Sequence, residues 1–526
     1  MATIHFKGKN AVWNHHLSVP YHTLEKDEKK SLEGANSDDN LIIEGDNLLA
    51  LKALLPKYQG KVKCIYIDPP YNTGNESWVY NDNVNSPVIK SWMGEVVGKE
   101  GEDLTRHDKW LCMMTPRLKL LRELLSEEGV IFVSIDDNEQ HHLRNIMNEV
   151  FGEGNFVVNI IWQKKYAASN DNRSVSDTHD FVVCFAKNIL QWQPNLFKRS
   201  DELNDKYKNP DNDSRGAWYP TNLSVKTFSE KNFYKIISPS GKEFLPPPSR
   251  CWVVSQEKYK ALLDDNRIWF GKNGDSRPYQ KTFLSEVQQG VVPESIWLHK
   301  DAGHNIEAKS ELRKLFENQV DLFDTPKPTR LVKRVLELST DKNSIILDAF
   351  AGSGVTAQAV MDLNAEDGGN RKFVIVEMEK YANSITAERV RRVIKTKKYD
   401  TGFTYAKLGQ AIDAATILSG TLPKFKDLAK CVYYLATGRN LEAEKDINAK
   451  TGFVGKSKNE SVYLLYEQDL EVLKKLAITL NWARATHESD SGKKIVYAPA
   501  CYLDDEMLDE FNIQFVSIPY NLFARS

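Results

Sequence analysis

Short buried strands alternating with helical patterns constrain this chain more than anything else in it. LIIEGDN reads as a strand ending at Gly45 and Asp46, and in LLALKALLP the residues Leu48, Leu51, Leu54 and Leu55 share one helical face that stops at Pro56. KVKCIYIDPPY is a second buried strand, broken by Pro69 and Pro70. PRLKLLRELLSEEG is an amphipathic helix with Gly129 as its C-terminal cap, and VIFVSIDD is a third strand, with Asp137 and Asn138 placed to cap the next helix. That alternation predicts a parallel sheet covered by helices. From about 151 to 305 the rhythm gives way to short aromatic strands and turns such as NPDNDSRG and LPPPS. It resumes with TRLVKRVLELS, SIILDAFAGSG, VTAQAVMDLN and KFVIVEME, so the sheet is split in sequence by an insertion. After about 401 the pattern is that of a small α+β domain.

A chain of 526 residues exceeds what one core supports, and three or four packed units are expected. Composition is globular, and no apolar run reaches the ~18–20 residues of a membrane span. MATIHFKGKNAVWNHHLSVPYH lacks an apolar signal region, so a cytoplasmic protein is expected. The six cysteines are scattered without a CxxC pair, which argues against disulfides and a cysteine-zinc site. The net charge of -2 hides an asymmetry: residues 161–300 hold 21 Lys and Arg against 16 Asp and Glu, and six of the 11 tryptophans. Such a basic, aromatic-rich insert suits a surface that meets phosphates and bases, or is an ordinary solvated face over a large core.

Two strand ends carry chemistry. Asp68-Pro69-Pro70-Tyr71 follows VKCIYI, where an open parallel sheet presents its ligand crevice. The prolines fix the backbone and remove two donors, leaving a main-chain carbonyl and the Asp68 side chain as forward-pointing acceptors beside an aromatic ring. That set suits a poorly nucleophilic exocyclic amine on a heteroaromatic ring. Asp68 and the Pro69 carbonyl take its protons, Tyr71 stacks on its ring, and Asn72 either orients the amine or finishes the turn. The second constellation is Asp348-Ala349-Phe350-Ala351-Gly352-Ser353-Gly354, between the strand SIIL and a helix whose N-terminal amides favour an anion. Glu377, at the end of KFVIV, is placed to accept from ribose hydroxyls. Gly352, Gly354 and Ala357 also satisfy the degenerate dinucleotide fingerprint, which leaves an NAD or FAD reading open.

DPPY and DAFAGSG together resemble the catalytic and cofactor motifs of S-adenosylmethionine-dependent amino-methyltransferases acting on DNA, and the leading Asp resembles the adenine-N6 branch. The order, catalytic motif, long insert, cofactor motif, is similar to the permuted β group of those enzymes. EGDNLLAL, YIDPPYNTGN, FVSIDDNEQHHLRNIMNEVFG, FDTPKPTRLVKRVLELS and ILDAFAGSGVTAQAV resemble the modification (Mod) subunit of type III restriction-modification systems over about residues 4–400. LAKCVYYLATGRNL, VYLLYEQDLEVL and FVSIPYNLF resemble that family's C-terminal domain. The resemblance implies a permuted Rossmann-like α/β sheet interrupted by a mixed α/β target-recognition insert. Its parts are an N-terminal extension at 1–40, methyltransferase halves at 41–164 and 306–400, target recognition at 165–305, and a C-terminal α+β domain at 401–526. It further implies that Asp348, Phe350, Gly352 and Gly354 surround the cofactor and Glu377 holds its ribose. Asp46 lies near the cofactor's adenine, and Lys327, Pro328 and Thr329 near its methionine end.

Other readings of these residues stay open. Asp46 is also an ideal helix cap, and Lys327 a solvated lysine before a helix starting at Pro328. His141 and His142 have no acidic or cysteine partners at ligand spacing and read as structural, and no metal is expected for methyl transfer. The expected partners are double-stranded DNA, a second copy of the chain, and a separate helicase-nuclease restriction subunit. The motor loop such a subunit needs is not found here: the nearest string, GEVVGKE at Gly94–Glu100, is a residue short between its glycines. A solitary or other defence-system DNA methyltransferase, a methyltransferase acting on cytosine N4 or RNA, a nicotinamide oxidoreductase and a catalytically idle recognition subunit are the alternatives.

Overall fold

The computed structural model describes residues 3–73, 105–167 and 175–518, less 289, 318, 320, 321, 414, 415, 418, 421, 442, 443, 458 and 459. The string Gly94–Glu100 and the glycine of IDPPYNTG lie outside the described residues. The chain divides into two compact units, residues 1–194 with 294–526, and residues 195–293.

The larger unit is built on a mixed sheet of ten strands: β1 (Tyr21–Lys26), β2 (Leu41–Glu44), β3 (Val62–Ile67), β4 (Leu125–Ile135), β5 (Phe156–Gln163), β6 (His179–Ala186), β7 (Ile296–Trp297), β8 (Ile345–Asp348), β9 (Lys372–Glu377) and β10 (Thr404–Ile412). Their order is β1-β10-β2-β9-β8-β3-β4-β6-β5-β7. The six from β10 to β4 run parallel. β1 lies antiparallel on β10, and β6 antiparallel to both β4 and β5. Continuous apolar runs such as Cys64–Ile67 are buried because helices cover both faces of a parallel sheet. The chain leaves β3 toward β4 on one side and β8 toward β9 on the other. The β3–β8 boundary is thus the topological switch point, where a crevice opens beyond the strand ends.

Several local readings need correction. The helix Asn47–Tyr58 passes through Pro56 rather than stopping there. Pro56 lacks the N–H that would bond the Lys52 carbonyl and its ring crowds that carbonyl, but packing of the buried Leu51, Leu54, Leu55 and Tyr58 carries the helix past it. The next helix spans Arg106–Leu124, and Gly129 lies inside β4. A Cβ on Gly129 would stand 2.8 Å from the Ser126 carbonyl oxygen and 2.9 Å from that of Val62, so glycine serves strand packing there, not a helix cap. The helix Gln140–Phe151 takes Glu139, not Asp137 or Asn138, as its N-cap residue. Asp136 instead accepts from the Asn138 N–H at 2.9 Å.

Neither the N-terminal nor the C-terminal part is separate from the main sheet. β1 falls within 1–40 and β10 within 401–526, and both pair at its edge. The helix Phe425–Thr437 joins the same apolar core through Leu428, Val432 and Tyr434, ahead of a four-stranded sheet formed by Phe453–Ser457, Glu460–Leu464, Lys493–Ala498 and Ile513–Ser517. The smaller unit is also shorter than the 165–305 stretch: β6 and the helices His299–Ala302 and Asn305–Leu315 belong to the larger unit. Residues 195–293 have their own apolar core, including Leu223, Ile236, Trp252 and Phe270, and a buried Lys281 held by Asp211 and Asp213.

Candidate active site

Parallel pairing of Cys64 and Ile65 with Ile346 and Leu347 brings the ends of β3 and β8 side by side, although 280 residues separate Asp68 from Asp348. Beyond them opens a cavity of ≈ 290 Å³. Asp68, Pro69, Pro70 and Tyr71 line one wall, and Asp348, Phe350, Ala351, Gly352 and Ser353 another; Asp136, Lys164, Asp180, Phe323 and Lys327 help complete it. Asp46, Pro328, Thr329, Gly354 and Glu377 are not in this wall.

The first loop is fixed from behind. Trp110, fully buried, donates its indole N–H to the Pro70 carbonyl at 2.7 Å. Asn72 takes a left-handed conformation (φ 57°) and donates its side-chain amide to the Arg106 carbonyl at 3.1 Å and to the buried Glu139 carboxylate. Of the two readings open for Asn72, these bonds fit the one in which it finishes the turn. Lys327 is not a solvated lysine. It is 7% exposed, places its ammonium 2.6 and 2.7 Å from the two Asp68 oxygens, and lies 4.8 Å from the centroid of the Tyr71 ring. Pro328 is the N-cap residue of the helix Thr329–Ser339. Thr329 turns from the cavity, donating its hydroxyl to Glu311 at 2.8 Å and accepting from Arg389 at 3.3 Å.

The second loop is held by two buried acids. Asp348 accepts from the Phe350 N–H at 3.0 Å and the Thr356 hydroxyl at 2.5 Å. Glu377 lies beneath the glycine turn, accepting from the Gly352 N–H at 2.8 Å and the Glu379 N–H at 2.9 Å. Arg389, also buried, donates to the Ser353 hydroxyl at 2.7 Å. Gly352 and Gly354 both have positive φ, 51° and 81°. At Gly354 the reason is local: a Cβ would meet the Thr386 carbonyl oxygen at 2.8 Å, so the glycine permits close packing of its own chain. Asp46 caps the helix Asn47–Tyr58, accepting from the N–H groups of Leu48 and Leu49, and stands 3.5 Å from the Arg117 guanidinium. Its neighbour Asn47, which sequence reasoning passed over, donates to the Ala349 carbonyl at 3.0 Å and ties this helix to the glycine loop.

Burial dominates the electrostatics. It pushes Asp348 up to about 7 and Glu377 up to about 8, outweighing the donors each accepts from. Asp180, on the cavity wall, is pushed up to about 6 by burial despite its ion pair with Lys164 at 2.6 Å. Sequence reading placed Asp180 inside the recognition insert, whereas its strand β6 pairs with β4 and β5 in the main sheet.

Two outcomes follow. Gly354→Val combines a forced left-handed conformation with a clash against Thr386, and should destabilise the fold by about 2 kcal/mol or more. Thermal unfolding tests this; a variant with wild-type Tm would contradict it. Glu377 keeps its proton in the folded state over a range where the unfolded chain has released it. Its contribution to stability is therefore complete below the ordinary value of 4.5 and declines as pH rises to about 8. Glu377→Gln should flatten the fall of Tm between about pH 5 and pH 8. An unchanged slope would show that this carboxyl is ionised when folded.

Comparison with known proteins accounts for the two loops together. A DNA methylase family model matches residues 62–388. The StyLTI Mod subunit of Salmonella typhimurium is 36% identical over 73% of this chain and 61% of its own length. The EcoPI Mod subunit of Escherichia phage P1 is 33% identical over 74% of this chain and 68% of its own. A further type III Mod subunit, from Escherichia coli, is 29% identical over 74% and 69%. The chain thus spans between 61% and 69% of these relatives' lengths. Such matches set aside the nicotinamide reading of the glycine loop: the chain belongs to the DNA methylase family and, within it, to the Mod subunits of type III restriction-modification enzymes.

Proposed function

We propose that this chain transfers a methyl group from S-adenosylmethionine to N6 of an adenine flipped out of duplex DNA. The observation that carries the reading is that Asp68 to Tyr71 and the glycine loop Asp348 to Gly352 face one cavity. The residues suit the cofactor. The glycine turn opens a helix of 13 residues whose first amides favour an anion, Phe350 offers an apolar face, and the Lys327 ammonium suits a carboxylate. Pro328 and Thr329 act by setting the backbone that presents Lys327. Glu377 holds the glycine loop through Gly352 and keeps lone pairs for ribose hydroxyls, and Asp46 serves the adenine end while capping its helix. When bound, S-adenosylmethionine supplies an activated methyl group on a sulfonium, itself a good leaving group, and the proposed chemistry assigns no step to a metal.

The protein's part is alignment and electrostatics. Asp68 and the Pro69 carbonyl accept from the amine, localising its lone pair, and Tyr71 stacks on the base with about 1–3 kcal/mol. Lys327 takes one lone-pair site on each Asp68 oxygen, and the remaining sites serve the amine. Flipping the base costs a few kcal/mol, offset by this stacking and by backbone contacts. Residues 195–293 carry 16 Lys and Arg against 12 Asp and Glu, with exposed Tyr219, Phe228, Phe233 and Tyr279, and this unit reads the DNA site. The chain works as a dimer and recruits a separate restriction subunit, in keeping with its family.

Asp68→Ala should lower methyl transfer by at least about 10²-fold. It also leaves the Lys327 ammonium without its counter-ion, so Asp68→Asn is the companion variant that separates chemistry from stability. In both, cofactor affinity measured by titration calorimetry should stay within a few-fold of wild type. A fall in affinity matching the fall in turnover would mean that Asp68 serves the cofactor rather than the target amine.

A further inference from the structure

Behind the first loop, on the side away from the cavity wall, lies a cluster that methyl transfer does not use. His107 is the second residue of the helix Arg106–Leu124; Glu139 is the N-cap residue of Gln140–Phe151, and His142 sits in that helix's first turn. One donor atom from each lies within 4.8 Å of the other two. Sequence spacing could not show this, since His107 precedes Glu139 by 32 residues. We infer that His107, Glu139 and His142 form a binding site for a divalent transition-metal cation of the zinc class.

The second observation is the state of Glu139. Its side chain is 0% exposed, and one carboxylate oxygen takes both the Asn72 amide and the His107 Nδ1, the latter at 2.7 Å. The other oxygen, Oε2, is buried with no hydrogen-bond partner among the described residues, an arrangement that costs about 1–3 kcal/mol. A cation would satisfy it. His142, half-buried in the first turn of that helix, offers an imidazole nitrogen as the third donor. The His107 and His142 ring centroids are 5.0 Å apart. Two imidazoles and one carboxylate are the donor set of three-ligand zinc sites, which keep a fourth position for water, and imidazole nitrogen disfavours magnesium and calcium. His107 retains 34% side-chain exposure, giving the ion a way in. Through Glu139 and Asn72, a bound cation would stiffen the chain immediately after Tyr71. The site is thus placed to modulate the loop without taking part in the chemistry.

Cobalt(II) titration of the tag-free, chelator-treated full chain, followed by visible absorption, tests this without DNA or cofactor. One equivalent of Co²⁺ should give a d–d band that Zn²⁺ abolishes by displacement. His142→Ala should weaken Zn²⁺ by more than about 10-fold, since even an outer-shell partner contributes that much. His141→Ala, on the neighbouring exposed residue, should bind as wild type does. Glu139→Gln should also lose the site; if that variant fails to fold, His142→Ala still decides. A wild-type chain with no Zn²⁺-displaceable Co²⁺ band, or equal affinity in His142→Ala, would overturn the inference.

Discussion

The parallel pairing of β3 with β8 is the constraint on which the rest depends. Asp68 leaves the end of one strand and Asp348 ends the other, and only their adjacency puts an acceptor for an amine next to a glycine turn that opens a helix. Neither strand end makes a site alone. The sheet supplies this adjacency through chain direction: crossovers leave β3 and β8 toward opposite edges, and a crevice opens between their ends. The split in sequence leaves the adjacency intact, because β6 and β5 extend the sheet beyond β4 without entering between the two motifs.

Around that crevice the protein spends buried charge in two different ways. Asp68 and Lys327 are paired, and Asp180 with Lys164 likewise, so each ion's loss of water is offset by a counter-ion at hydrogen-bond distance. Asp348 and Glu377 have no cation partner among the described residues; burial raises both, and they serve as hydrogen-bonding struts under the glycine loop. The pairing of Asp68 with Lys327 gives the crevice an acceptor held in place before any substrate arrives.

What the sequence made legible was what is local. The two motifs, the strand-helix alternation and the α/β class are read from contiguous residues, because buried strands and glycine turns have short-range signatures. What it hid was long-range. Lys327 read either as a neighbour of the cofactor's methionine end or as a solvated lysine before a helix, and only the fold puts it on Asp68. Gly354 looked like a ligand contact, and its neighbour is Thr386. Pro56 and Gly129 were misplaced because tertiary packing overrides local stop signals. β1 and β10 were assigned to flanking regions because neither has the continuous apolar run of the central strands. His107, Glu139 and His142 come from two helices, and spacing within one helix could not bring them together.

The central claim concerns which amine the crevice accepts. The direct measurement is nucleoside analysis by mass spectrometry of duplex DNA incubated with the purified chain and S-adenosylmethionine carrying an isotopically labelled methyl group. The account predicts label in N6-methyladenine and in no other nucleoside. Label in N4-methylcytosine, or no label in DNA at all, would contradict it.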